Sequence, residues 1–150
     1  MTFSRAGFLN GLLALLAAIA ATAAAGSVVQ SQLSLNALSA LGVAISASMR
    51  WQTTLSDLQG FAPTWAAIVA GGFVIAFPVA AALSRWRPRL RLLWFVLAGA
   101  FAILTALVAM RLSLGLTAVA AARSALGMSL LVASGAIGGW VFWWVRGRDN

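Results

Sequence analysis

Residues 63–91 read PTWAAIVAGGFVIAFPVAAALSRWRPRLR. The first 21 of these residues carry no charge, and a helix of that length at about 1.5 Å per residue is roughly 32 Å long. Such a helix crosses the hydrocarbon core of a bilayer, which is about 30 Å thick. Pro63 suits the first position of this helix, where its missing N–H is not needed. Four arginines follow directly, which is typical of a transmembrane segment that ends among lipid headgroups.

Three further apolar runs have similar lengths, and arginines lie at or near their ends. We predict spans at about residues 8–25, 92–110 and 125–145, in addition to 63–83. Only 8% of the residues are charged and the mean hydropathy is +1.00, whereas a soluble domain carries about 25% charged residues. The sequence therefore predicts an all-α polytopic membrane protein, with four transmembrane helices in a single domain over 1–150.

Residues 33–59 are the least regular part of the chain. The run 33–48 is apolar but short for a crossing and carries several serines, and residues 50–59 are mostly polar. We predict that 33–59 forms two short interfacial helices on the outer side of the membrane. In an alternative topology, residues 33–48 form a fifth span.

The distribution of arginine favours four spans with both termini in the cytoplasm. This topology places seven arginines inside and three outside, whereas five spans give six and four. An excess of basic residues on the cytoplasmic side is the general rule. The predicted location is the bacterial inner membrane. Nucleic acid is not an expected partner, because most arginines lie at the ends of apolar runs and suit phospholipid headgroups.

The residue types that are absent limit the chemistry. The sequence contains no His, Cys, Lys, Glu or Tyr, and its two acidic residues, Asp57 and Asp149, fall outside the predicted spans. General acid–base catalysis needs a group that titrates near neutral pH, and proton relays in membranes use Asp, Glu or His. We therefore expect no enzyme activity, no catalytic residue, no metal site and no bound cofactor.

Small residues mark candidate helix-packing faces. Gly135 and Gly139 are four residues apart in the fourth span, and Gly71 and Gly72 are adjacent in the second. Small faces allow helix backbones to approach closely in lipid. These positions pack either within this chain's own bundle or against another subunit.

Aromatic and charged residues supply the remaining candidates. Trp140, Trp143 and Trp144 are interpreted as interface anchors or, alternatively, as a stacking surface for a pigment, a quinone or a neighbouring subunit. An outer polar cluster is predicted either to form ion pairs or to bind an anionic group; its members are Arg50, Asp57, Arg111 and Arg123. The basic turn is predicted to bind anionic lipid or an acidic partner, through Arg85, Arg87, Arg89 and Arg91.

These features predict a non-catalytic accessory or assembly subunit of a larger bacterial inner-membrane complex. Such a subunit would act through helix packing and lipid contacts, with other integral membrane subunits as its partners. The alternative function is a small oligomeric transporter or channel for an apolar or anionic solute, with Arg50, Arg111 and Arg123 at the mouth. A lipid-binding or membrane-shaping protein is a third possibility.

Overall fold

Four long helices make up the fold, and the computed structural model describes residues 5–114 and 119–147. The helices are α1 (Arg5–Ala40), α2 (Ala47–Trp86), α3 (Arg91–Leu114) and α4 (Ala125–Gly147). Short 3₁₀ turns precede the last two helices, at Pro88–Leu90 and Ala120–Arg123. The predicted all-α fold is confirmed, since the described ranges contain no strand and each predicted span lies within one helix.

All four helices are long and apolar enough to cross a membrane. Their outward faces carry large apolar side chains, such as Leu13 at 60% exposure, Ile75 at 72% and Phe101 at 59%. A soluble monomer rarely exposes apolar surface on this scale, whereas lipid solvates it. The chain is therefore a multi-pass membrane protein.

The four helices form an up-and-down bundle. The main contacts join α1 with α2, α2 with α3, α3 with α4, and α4 with α1. Successive helices are antiparallel, so the bundle has two distinct ends. The arginine end contains the turn between α2 and α3. The hairpin end contains residues 41–46 and the 3₁₀ turn before α4.

Aromatic side chains fill the core in the half of the bundle nearer the arginine end. Phe73 and Phe77 of α2 stack with ring centroids 4.4 Å apart. Phe142 of α4 contacts the ring of Phe77 at 4.4 Å and that of Phe95 at 5.0 Å. All four phenylalanines are at most 4% exposed. Trp65 is fully buried at the other end of this core.

Helices α1 and α2 are much longer than their neighbours. They contain 36 and 40 residues, against 24 in α3 and 23 in α4. Residues 33–40 continue α1 and residues 47–59 belong to α2. The structure thus has one helical hairpin where two separate short helices were predicted, and residues 33–48 form no fifth span. Pro63, predicted to open the second helix, lies inside α2.

The turn chemistry explains why this hairpin reverses direction. Gly42 has a positive φ of 87°, which a glycine adopts without steric cost. The N–H groups of Val43 and Gly42 donate to the carbonyls of Leu38 (3.3 Å) and Ser39 (3.0 Å), a Schellman motif that ends α1. Ser46 then caps α2, because its Oγ accepts from the Met49 N–H at 3.2 Å. We call residues 33–60 the outer hairpin, because they continue α1 and α2 past the 3₁₀ turn that precedes α4.

Candidate functional site

Helices α3 and α4 touch through their backbones. A Cβ atom placed on Gly99 would overlap the carbonyl group of Gly135, and one placed on Gly135 would overlap the carbonyl of Gly99. A Cβ atom on Gly139 would overlap the Phe95 carbonyl. Only glycine fits at these three positions. The structure therefore places Gly135 and Gly139 against α3 of the same chain.

The adjacent glycines of α2 face in different directions. A Cβ atom on Gly72 would lie 3.3 Å from the Ala102 Cβ of α3, which is a tight contact. A Cβ atom on Gly71 would have no atom within 4 Å, and this residue is exposed. Gly72 thus lies at the contact between α2 and α3, whereas Gly71 lies on the lipid-facing surface.

Two further glycines allow large or polar side chains to fit in the core. Gly26 of α1 lies against the indole ring of Trp65, and a Cβ atom there would meet its Nε1. Gly138 of α4 lies against the Thr22 hydroxyl and the Phe73 ring. The sequence does not mark either glycine as a packing position, because neither has a second glycine four residues away in its helix.

The tryptophans of α4 differ in their surroundings. Trp140 and Trp144 are 47% and 45% exposed and stack with centroids 6.4 Å apart and an interplanar angle of 17°. Trp143 is half-buried and packs against the core. Arg146 lies over the Phe142 ring, with its guanidinium carbon 5.7 Å from the ring centroid. The exposed indole pair forms a flat aromatic surface near the arginine end.

Polar side chains join the two helices of the outer hairpin. The Arg50 guanidinium donates to Gln32 Oε1 at 3.0 Å and to Asn36 Oδ1 at 3.3 and 3.4 Å. Gln32 Nε2 donates to Thr54 Oγ1 at 3.3 Å. These bonds fix α2 against α1 beyond the apolar core.

The same contact line continues toward the membrane at a buried serine. Ser31 is fully buried, and its Oγ lies 2.6 Å from Asp57 Oδ2 and 2.9 Å from the Ser27 carbonyl. Its single hydroxyl proton is donated to one of these acceptors at a time. We define the polar seam as Ser31, Gln32, Asn36, Arg50, Thr54 and Asp57.

The four residues of the predicted outer polar cluster do not come together. Arg50 and Asp57 both lie in the polar seam but bond to different residues of α1. Arg111 and Arg123 are exposed, and no ion pair links any of these arginines to Asp57 in the described part of the chain. Arg111 instead borders an apolar cavity of about 290 Å³ between α3 and α4, beside Met128 and Ala122.

A few buried polar atoms lack hydrogen-bond partners among the described residues. They are Thr22 Oγ1, Ser27 Oγ, Trp65 Nε1 and Trp94 Nε1. The first three lie in α1 and on the α2 face that packs against it, and all three side chains are fully buried. Unpaired polar atoms cost free energy in an apolar interior, so this part of the core is held by packing rather than by hydrogen bonds.

A groove lies between α2 and α3 on the outer surface of the bundle. It has a volume of about 520 Å³ and an almost wholly apolar lining, which includes Val79, Ala98 and Phe101. Leu83 and Trp94 line its end nearest the basic turn. Arg85, Arg87 and Arg89 are exposed and Arg91 is half-buried, so guanidinium groups lie directly beyond this end.

The outer hairpin presents apolar side chains on its outside. Trp51 is 70% exposed, Leu55 54% and Leu58 38%, and their spacing puts them on one face of α2. Leu41 at the turn is 81% exposed. The polar seam lies between the two helices, whereas these apolar side chains lie on the outer surface of the hairpin.

No protein-family model, curated protein or solved structure matches the chain. The fold and surfaces define a class: a multi-pass, four-helix membrane protein with a filled core and an outer hairpin.

Proposed function

We propose that this chain is a non-catalytic accessory or assembly subunit of a larger bacterial inner-membrane complex. It docks other integral membrane subunits through the outer hairpin and anchors itself to lipid through its arginines. The observation that carries this proposal is the exposed apolar face of the hairpin, beyond the ends of α3 and α4.

The position of the hairpin relative to the membrane supports a protein partner. The N–H of Ala121, in the 3₁₀ turn before α4, donates to Gln30 Oε1 at 2.9 Å, so the bundle's short helices end near Gln30. Residues 33–40 continue α1 for about 12 Å beyond that level, and α2 extends beside them. Trp51 and Leu41 are therefore displayed beyond the lipid-solvated bundle, and Leu55 lies close to its edge, since the adjacent Thr54 accepts from Gln32. Large apolar side chains exposed at this place favour a protein interaction site.

The filled core supports an assembly role over conduction through one copy. Phe73, Phe77, Phe95 and Phe142 occupy the centre of the bundle in one half, and Trp65 fills it in the other. A solute path through the described bundle would have to displace these rings. The glycine contacts between α3 and α4 leave no room for a solute path between these two helices.

The charges at the two ends support the proposed orientation. Among residues whose side chains are described, the arginine end carries Arg85, Arg87, Arg89, Arg91 and Arg146, and the hairpin end carries Arg50, Arg111 and Arg123. Basic residues are retained preferentially on the cytoplasmic side. The outer hairpin then faces the periplasm, where a partner's periplasmic helix or loop meets it.

The test is blue-native electrophoresis and native mass spectrometry of the full chain, extracted gently from the cells that produce it naturally. We expect a complex containing other membrane subunits. The double variant Trp51→Ser/Leu55→Ser should release the chain from this complex, because it removes two exposed apolar anchors. The control Gln52→Ala/Gln59→Ala changes two exposed polar positions of the same hairpin and should leave the complex intact.

Two outcomes would count against this function. If the wild-type chain is extracted only as a monomer or a homo-oligomer, the proposal that it has partner subunits is wrong. Equal retention of the complex by the Trp51→Ser/Leu55→Ser variant and by wild type would show that the hairpin is not the docking surface. Circular dichroism of each variant establishes that the helices are intact before these results are compared.

A further inference from the structure

The groove between α2 and α3 is long enough to hold a lipid acyl chain. By helical rise, its lining on α3 runs from Trp94 to Ala109, about 22 Å. The acyl chains of one leaflet occupy about 15 Å, half the hydrocarbon thickness. Apart from the Thr105 hydroxyl and the Trp94 indole, the lining is apolar. An acyl chain in this groove would therefore contact almost only apolar side chains.

Helical spacing places basic residues at one end of the groove. On α3, Arg91 precedes Trp94 by three residues and Ala98 by seven, so all three share one helix face. On α2, Arg87 follows the groove residue Leu83 by four positions, at the C-cap of the helix. Two arginine residues therefore lie at the end of the groove where the phosphate would be if the acyl chain occupied it.

These guanidinium groups have no acidic partner in the described protein. The chain has two acidic side chains; Asp57 lies in the polar seam at the opposite end of the bundle, and Asp149 falls outside the described residues. Arg85 and Arg89 add two more positive charges to the same turn. The local charge is thus strongly positive beside an apolar groove, which complements a phosphate joined to a hydrocarbon chain.

We propose that this groove is a binding site for one anionic phospholipid of the leaflet at the arginine end. Its acyl chain lies between α2 and α3, and its phosphate accepts hydrogen bonds from Arg87 and Arg91. The site distinguishes an anionic headgroup from a zwitterionic one by charge. It excludes soluble phosphates because most of the contact area is apolar.

The test is native mass spectrometry of the full-length protein in detergent, titrated with phosphatidylglycerol or phosphatidylcholine that carry identical acyl chains. We expect one phosphatidylglycerol to be retained in preference to phosphatidylcholine. The variant Arg87→Gln/Arg91→Gln should lower that preference about 25-fold, at about fivefold for each guanidinium lost. The control Arg111→Gln/Arg123→Gln removes the same charge at the hairpin end and should keep the preference.

A second pair of variants tests the groove separately from the charge. Val79 and Val74 are both on α2 with similar exposure, 55% and 57%, but only Val79 lines the groove. Val79→Trp should reduce retention of both lipids, because the indole fills the groove, and Val74→Trp should not. Glycerol 3-phosphate, a soluble headgroup, should not displace the bound lipid.

Four results would overturn the proposal. Equal losses in the two arginine variants would mean that net charge alone attracts lipid. Unchanged retention in Val79→Trp would show that the acyl chain does not use the groove. Displacement by glycerol 3-phosphate would identify a simple phosphate site. A lower oligomeric state in Val79→Trp, with lipid retention unchanged, would assign the groove to a second copy of the chain.

Discussion

The α3–α4 half of the bundle and the α1–α2 half are stabilised by different kinds of contact. Helices α3 and α4 meet where Gly99 and Gly135 bring backbone against backbone. Helices α1 and α2 meet, over their outer parts, through side-chain hydrogen bonds such as Arg50 to Gln32. Lipid provides no hydrophobic driving force between helices, so close packing and interhelical hydrogen bonds are the available sources of association. The contact between Gly99 and Gly135 relies on close packing, and the outer parts of α1 and α2 add interhelical hydrogen bonds.

The difference follows from where each contact lies. The α3–α4 contact is within helices of 24 and 23 residues, lengths that match the membrane. The polar seam begins at the buried Ser31 and continues into the extensions of α1 and α2, where its side chains are partly exposed. A backbone contact has no tolerance for added volume, whereas a set of partly exposed hydrogen bonds can be replaced by water. We therefore expect the two halves to respond very differently to substitution.

The largest effect is expected at the α3–α4 contact. Gly139→Leu would drive a side chain into the Phe95 backbone, which cannot move aside without shifting α3. Overpacking a well-filled core costs about 1–3 kcal/mol and more when backbone must shift, so we expect a loss above about 3 kcal/mol and little folded protein. The free energy of unfolding is measured by SDS titration with circular dichroism.

Gly71→Leu is the matched control for that variant. It makes the same change in α2, at a position where an added Cβ has no atom within 4 Å. We expect its stability to remain within about 0.5 kcal/mol of wild type, because a surface substitution adds no overlap. Equal stability of Gly139→Leu and Gly71→Leu would contradict the proposed difference between the halves.

The membrane-spanning part of the fold could be predicted from the sequence, and the outer hairpin could not. A long uncharged run forms a helix when it crosses lipid, so the number of such runs predicts the number of spans. The run 33–48 was ambiguous because its serines and its length suit an interfacial helix. The signals of a helical hairpin were present in Gly42, a C-terminal stop, and Ser46, an N-cap. Their meaning depends on α1 continuing past residue 25, which hydropathy alone does not indicate.

The candidate sites were predictable only as residue types. The pair Gly135 and Gly139 indicated a packing face, but the partner Gly99 is set by the tertiary arrangement. Arg50 and Asp57 are seven residues apart and share a helix face, as their spacing implies. Their bonding partners are decided by Gln32 and Ser31 of α1, which meet them only once the hairpin has formed.

An intermediate effect is expected at the buried end of the polar seam. Ser31→Ala removes the hydroxyl that donates to Asp57 at 2.6 Å or to the Ser27 carbonyl, and leaves the carboxylate without that donor. Loss of a bond to a charged, partly buried acceptor should lower stability by about 1–2 kcal/mol in the same SDS titration. The control Ser39→Ala changes an exposed serine near the end of α1 and should be neutral. Equal effects would show that the seam contributes no more than helix propensity.

The smallest effect is expected at the exposed end of the polar seam. It is the most direct test of the difference between the seam and the α3–α4 contact. Arg50→Ala removes the bonds to Gln32 and Asn36, but water reaches both acceptors and replaces much of the lost energy. We expect a loss of about 0.5–1 kcal/mol by SDS titration, and faster amide hydrogen exchange at residues 36–50 as the hairpin tip loosens. Arg111→Ala, the control, removes an exposed arginine outside the seam and should change neither quantity. If Arg50→Ala destabilises the protein as much as Gly139→Leu, the hairpin would be as rigidly coupled as the α3–α4 contact, and water could not be substituting for its hydrogen bonds.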